Sequence, residues 1–295
     1  MTAMLIDPPL RAQLKTLRLR ARQAFGHQGI GAHRSHSRGV GLEFSQYRAY
    51  EVGDDLRRID WKLHARSDRF FVREAERESP LTVWLLVDTS ASMAQADRAR
   101  PEFQRLDAAK TLAACVAELA LQQGDRFGLM SLAAGGVHCL PAASGVRQRD
   151  RLWLELNGLT ATGPAIGNAL MDPIWQRVGR GDLIVLISDG FDESIVALTE
   201  RLAAAQRELI FIQIICAEER DFPFQRGCRF VDPESGEECA GESVAMRAEY
   251  LHRFGQSLQD LDARLDTAGI AHVRHVLDEP IVRPLQRLFA SRAVA

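Results

Sequence analysis

Two unbroken apolar runs, each ending in an acidic polar loop, constrain this chain more than any other feature. Thr82-Val83-Trp84-Leu85-Leu86-Val87 passes directly into Asp88-Thr89-Ser90-Ala91-Ser92-Met93, and Leu183-Ile184-Val185-Leu186-Ile187 passes into Ser188-Asp189-Gly190. A strand with one wet face alternates apolar and polar side chains. A run without alternation belongs to a parallel strand covered on both faces. Around these runs the sequence predicts helix 102–122, strand 127–132 with 137–141 as its antiparallel neighbour, and helices near 147–157 and 165–178. Helix 193–207, strand 209–215, helix 244–267 and strand 270–276 follow, then a short helix carrying Leu285, Leu288 and Phe289. Asp221 to Gly241, rich in Gly, Pro and acids, reads as a hairpin or loop. Strand and helix alternate from 81 to 276, which predicts a Rossmann-like α/β fold: a mostly parallel sheet with helices on both faces.

With 295 residues, the chain can hold such a domain and an extension. The expected division is an extension over 1–78 and the α/β domain over 79–295. Residues 11–38 carry Arg11, Lys15, Arg18, Arg20, Arg22, Arg34 and Arg38 without one acid. Leu10, Leu14, Leu17 and Ala21 fall at helical spacing, so this stretch begins as an amphipathic basic helix. Its charge is either a solvated face or a seat for an acidic partner. Residues 26–41 are loop-like. Asp54-Asp55 is positioned to cap a helix with an apolar stripe of Leu56, Ile59 and Leu63, and 69–73 reads as a strand. Asp54, Asp55 and Asp60 alternate with Arg57, Arg58 and Arg66, a mixture suited either to internal ion pairs or to partner docking. Trp61 is expected as a core anchor.

The formal net charge of -2 gives no overall pull toward nucleic acid or an anionic membrane. The five cysteines form no C-x-x-C, so they are expected as reduced structural thiols, although Cys228 and Cys239 flank a turn and could pair. No run approaches the length of a membrane span and no secretory signal is legible, so the expected location is cytoplasmic. Contact with a membrane would be peripheral, through partners.

Ligands of open α/β sheets sit beyond the carboxyl ends of the strands, at the point where the strand order reverses. If the two apolar strands are neighbours, their loops meet there. Asp88 and Asp189 then supply carboxylates, and Ser90 and Ser92 supply hydroxyls. Such hard oxygen donors suit Mg²⁺, with Mn²⁺ or Ca²⁺ possible, and suit Zn²⁺ poorly. The plainer reading is that Asp88 and Ser90 cap a helix near 94–110.

Asp88-Thr89-Ser90-Ala91-Ser92 resembles the first element of the metal-ion-dependent adhesion site of von Willebrand factor A domains, and Asp189 resembles that site's late aspartate. The family also takes a threonine from an intervening loop. Here Pro164 stands at the usual place, so Thr162 or Thr160, or water, is left to fill it. The N-terminal half carries a longer signature: Gly31-x-His33-x-Ser35, Gly39-x-Gly41-x-Glu43-Phe44, and Arg48-x-Tyr50-x-x-Gly53-Asp54-Asp55-x-Arg57-x-Ile59-Asp60-Trp61, with Ala65-Arg66 after it. This resembles the bacterial domain-of-unknown-function 58 family over about residues 30–215. The resemblance implies a von Willebrand factor A-like protein without catalytic residues that binds a MoxR-type AAA+ ATPase and an undefined protein client in chaperone-like assembly or maturation. It implies metal ligands Asp88, Ser90, Ser92, Thr162 and Asp189, and a partner surface of Arg48, Asp54, Asp55, Arg57, Asp60, Trp61 and Arg66.

The competing class is a magnesium-dependent phosphotransferase or hydrolase using Asp88. Such enzymes usually place a second carboxylate two residues after the nucleophile, where this chain has Ser90. There is no G-x-x-x-x-G-K-[ST] loop for ATP and no G-x-S-x-G elbow. His138, His252 and the pair His272 and His275 belong to separate elements, and that pair, on the last strand, is expected at the surface or rim.

Overall fold

The computed structural model describes residues 5–19, 43–51, 54, 56–76, 80–225, 228–241 and 243–290. Two compact units emerge: residues 1–27 with 81–295, and residues 28–80. The sequence places the first helix in the extension, but its contacts put it with the α/β unit.

That helix, α1 (Pro8–Leu14), is capped by Asp7, whose carboxylate accepts from the Leu10 N–H. It ends earlier than the leucine spacing suggests: Leu17 already bridges Ala290 in extended backbone. Leu14, Leu17 and Leu19 are buried in the main core, and Gln123 holds the Leu19 backbone through both its N–H and its carbonyl. Arg11 pairs with Glu118 (3.4 Å) and lies over the Trp153 ring, so its charge meets an acid of the same chain. The basic residues from 20 to 38 lie outside the described residues.

In the small unit, β1 (Glu43–Ala49) pairs antiparallel with β2 (Phe71–Glu76). Between them, a 3-10 turn (Leu56–Arg58) leads to α2 (Trp61–Ser67). The capping aspartate is Asp60, which accepts from the N–H groups of Lys62 and Leu63 at 3.0 Å. Asp54 instead closes a turn by accepting from the Glu51 N–H. Only Ile59 of the proposed stripe is buried, and Trp61, expected as a core anchor, is 59% exposed. A seven-residue helix offers too little surface to bury both the Ile59 side and the indole. The ring instead packs edge-on against His64 and Phe70.

The large unit holds β3 (Thr82–Asp88), α3 (Arg105–Gln123), β4 (Arg126–Ala133), β5 (Gly136–Ala143), α4 (Val146–Gly158), α5 (Asp172–Arg177), β6 (Leu183–Ser188), α6 (Glu193–Ala204) and β7 (Glu208–Ile215). Then come α7 (Ala217–Asp221), the hairpin β8 (Cys228–Val231) and β9 (Glu238–Gly241), α8 (Ser243–Thr267), β10 (Ala271–Val276) and α9 (Val282–Phe289). The helix expected over 165–178 is a 3-10 turn followed by the shorter α5, because Pro173 starts the helix only there. The sheet order is β10-β7-β6-β3-β4-β5. All neighbours are parallel except β5, which runs antiparallel to β4. From β3 the chain winds outward through β4 to β5, then returns to β6 and winds the other way. The order therefore reverses between β3 and β6.

The two apolar runs are buried because each face of the sheet carries its own core. Leu85, Val87, Val185 and Ile187 face α3, α1 and α9. Trp84, Leu86, Ile184 and Leu186 face the opposite layer with α6 and α8. Gly128 in β4 is required by this packing, since a Cβ there would stand 2.6 Å from the Trp84 ring and 2.9 Å from the β5 backbone. His275 on β10 is fully buried, not at the rim as its place near the sheet edge suggests. All five cysteines are free; in the hairpin Cys239 pairs in register with Phe230, two residues along from Cys228.

Candidate functional site

The polar loops after β3 and β6 meet at the switch point. Register brings them together, since Val87 lies beside Ile187 and the next residues are Asp88 and Ser188. Asp88 is wholly buried, and its two oxygens are met by neutral donors: Ser90 N–H at 2.9 Å and Ser188 Oγ–H at 2.7 Å. Burial pushes its carboxyl up to about 6, the two hydrogen bonds oppose that, and the charge of Asp189 adds to it. Asp88 does not cap a helix, since the segment after it is a short 3-10 turn (Ala91–Ala94) and α3 starts only at Arg105.

Ser90 Oγ and Ser92 Oγ lie 2.9 Å apart. The loop expected to supply a threonine is bound alongside: Thr162 N–H donates to the Thr89 carbonyl (3.0 Å) and Ala91 N–H to the Gly163 carbonyl (2.7 Å). Thr162 is exposed at this rim and Pro164 is exposed beyond it. Thus four of the five proposed ligands, Asp88, Ser90, Ser92 and Asp189, converge on the switch point, and Thr162 is tied to its edge by the backbone.

The sequence reading missed Arg105. The chain doubles back after the 3-10 turn: Ala96 bridges Gln104, and Arg105 N–H donates to the Gln95 carbonyl. This sets Arg105 at the first turn of α3 with its side chain 2% exposed. Its guanidinium donates to Asp189 Oδ2 (2.8 Å), to the Ser92 carbonyl (3.1 Å) and to Glu219. Glu219 also accepts from the N–H of Cys216, the N-cap of α7, closing a capping box. Burial works against the charge of Arg105, but Glu219 and Asp189 outweigh it and hold the proton more firmly than in water. No local motif marks Arg105 in the sequence, because its partners lie 84 and 114 residues away.

Outside these loops is a cleft of about 290 Å³ lined by Ser92, Arg105, Asp189, Phe191, Glu219 and the hairpin tip at Asp232 to Glu234. Glu234 accepts from the Ala165 N–H (3.2 Å), which pins the hairpin to the threonine loop. Among the described residues no group of three or more His, Cys, Asp or Glu forms a metal-type set, so an ion here would depend on the serine hydroxyls. Asp88, Ser90 and Ser92 fit a hard divalent cation by their chemistry. At Asp189 that fit meets a competing cation, Arg105.

Of the proposed partner residues, Arg57, Trp61 and Arg66 are exposed, Asp54 is half-buried, and Asp60 is buried by its capping role. Asp55 and the Arg48 side chain lie outside the described residues.

The strand order and the two strand-end loops define a mostly parallel α/β module with helices on both faces of its sheet and its polar loops gathered at the switch point. The chain belongs to the family described as protein of unknown function DUF58, which matches residues 46–258. An uncharacterized protein of Mycobacterium tuberculosis and one of Mycobacterium bovis are each 30% identical over 234 residues, covering 78% of this chain and 73% of theirs. Among solved structures, an aerotolerance-related membrane protein from Bacteroides fragilis is similar at a TM-score of 0.46 and 15% identity, covering 70% of this chain and 96% of that one. The SpRpn10 VWA domain is similar at 0.41 and 14%, covering 70% and 94%. Among the described residues no helix is long and apolar enough to cross a membrane.

Proposed function

We propose that this chain is a non-enzymatic protein-binding module that captures partners at the β3–β6 switch point through a divalent cation. The observation that carries the reading is the meeting of Asp88, Ser90 and Ser92, with Asp88 fully buried and met by neutral donors on both oxygens. A buried carboxylate without a cationic partner is costly, and a divalent ion would relieve that cost. Asp88, Ser90, Ser92 and Asp189 would hold the ion, with Thr162 at its edge. Mg²⁺ fits the donors best, and Mn²⁺ and Ca²⁺ share the chemistry. Bound there, an ion held largely by neutral oxygens would attract a carboxylate from a partner. The Thr89 N–H donates to the Leu132 carbonyl and the Thr162 N–H to the Thr89 carbonyl, which fixes the loop that carries the two hydroxyls.

The wider reading rests on what the resemblance to this family implies. The partner we propose is a MoxR-type AAA+ ATPase, acting with this chain in chaperone-like assembly or maturation of a client protein. The exposed Arg57, Trp61 and Arg66 are its candidate second contact. Co-purification with the co-expressed ATPase, with and without chelator, on wild type and Asp88→Ala tests this. Chelator-sensitive association lost in the variant is expected. Chelator-resistant association equal in both proteins would sink the cation-dependent reading. Covalent labelling of Asp88 by acetyl phosphate would favour the phosphotransferase class instead.

A further inference from the structure

We infer that Arg105 is a resident cation of this site and sets how tightly a divalent ion binds there, an inference that rests on the cation reading above. Its guanidinium holds the same Asp189 carboxylate that an ion would use, at 2.8 Å, and also holds the carbonyl of Ser92, whose hydroxyl is one of the proposed ligands. It is locked from behind by α7, where Glu219 grips one nitrogen with one oxygen and the Cys216 N–H with the other. Nε has no hydrogen-bond partner among the described residues, so the side chain is only partly satisfied in this seat.

The charge count gives the arrangement its consequence. The buried Asp88 and Asp189 and the half-buried Glu219 against one guanidinium leave two negative charges, the charge of one divalent ion. Arginine does not lose its proton in a protein. An ion that engages Asp189 must therefore draw that carboxylate away from Arg105, or bind beside a fixed like charge. Either weakens binding. Glu219 is the alternative seat: it keeps the guanidinium paired when Asp189 turns to an ion. Arg105 and Glu219 thus act with opposite signs on ion affinity, and contacts that shift α7 would tune the site from outside the cleft.

The test is Mn²⁺ binding to the full chain, followed by the electron paramagnetic resonance of the free ion, in wild type, Arg105→Met, Glu219→Gln and Asp88→Ala. Removing a unit positive charge a few ångströms from the ion should tighten binding at least about tenfold. Glu219→Gln leaves Arg105 to Asp189 alone and removes a negative charge, so binding should weaken several-fold. A general loosening of the fold would not give opposite signs. Arg105→Met binding Mn²⁺ no more tightly than wild type, while still melting cooperatively, overturns the inference. Should that variant not fold, Glu219→Gln decides: unchanged or tighter binding overturns it. If wild type binds, Asp88→Ala does not, and the other two match wild type, the resident-cation role alone falls. If no variant binds the ion, Arg105→Met included, the cation reading falls and this inference with it.

Discussion

Asp88 and Asp189 occupy equivalent places, one residue past the end of a buried parallel strand or at its last position, yet they are held in opposite ways. Asp189 is paired with a buried guanidinium and also accepts from the Phe191 N–H. Asp88 faces a hydroxyl and an amide and carries a carboxyl raised to about 6. One loop's aspartate receives a counter-charge from α3 and the other's is left with a deficit. Two buried carboxylates in one layer create a need for positive charge, and Arg105 meets only the Asp189 side of it.

The largest effect that would break this contrast is loss of the ion pair. Asp189→Ala leaves Arg105 with Glu219 and the Ser92 carbonyl, and removing one partner of a buried pair costs up to about 3–5 kcal/mol. Equilibrium denaturation should show that loss, whereas a loss under about 1 kcal/mol would mean the pair is as inconsequential as a surface bridge.

Asp88 predicts a slope of the other kind. Its folded pKa, about 6, lies above its ordinary value of 3.8. The folded protein therefore holds a proton that the unfolded chain releases, and stability falls as pH rises through that window. With chelator present, wild type should lose about 3 kcal/mol from this group between roughly pH 4 and 6.5, at ~1.4 kcal/mol per pH unit. Asp88→Asn should lack that loss, and parallel pH profiles for the two proteins would refute the assignment.

His275 offers a control outside both loops. It is fully buried, neither ring nitrogen has a partner among the described residues, and burial lowers its pKa to about 4 against a weaker opposing pull from Asp278. Here the unfolded chain binds the proton first, so this stability is complete above about pH 6.5 and is lost as pH falls toward 4, again by about 3 kcal/mol. His275→Leu should flatten the acid limb of the profile; an unchanged limb would place the imidazole in water. The smallest effect expected is from Ser188→Ala, about 1–3 kcal/mol, since it removes a donor to Asp88 and an acceptor of the Gly190 N–H. It should also move the Asp88 midpoint upward, and a downward shift seen by carboxyl infrared bands would contradict the assigned donor.

Much of this was legible without coordinates. The apolar runs at 82–87 and 183–187 announced parallel strands buried on both faces, and the polar residues after them announced the site. Both signals are local, because burial on two faces dictates residue type position by position. The pairing of Asp88 with Ser188 followed once those strands were neighbours. Helix ends were less legible. The leucine spacing that continued through Leu17 did not extend α1 past Leu14, because Leu17 buries its side chain equally well in extended backbone against α9. Trp61 misled for a related reason: an indole favours burial, but its neighbours in a short helix gave it only a half-covered seat.

The amino-acid sequence by itself determined the buried strands and the oxygen donors that follow them, since each depends on hydropathy and residue chemistry along a single segment; that those strands are neighbours, and so where the switch point lies, came from the fold. Only the tertiary structure decided which of the two aspartates would be neutralised. That choice belongs to Arg105 and Glu219, brought from the starts of α3 and α7, and a charge acts across space with no regard for the distance along the chain.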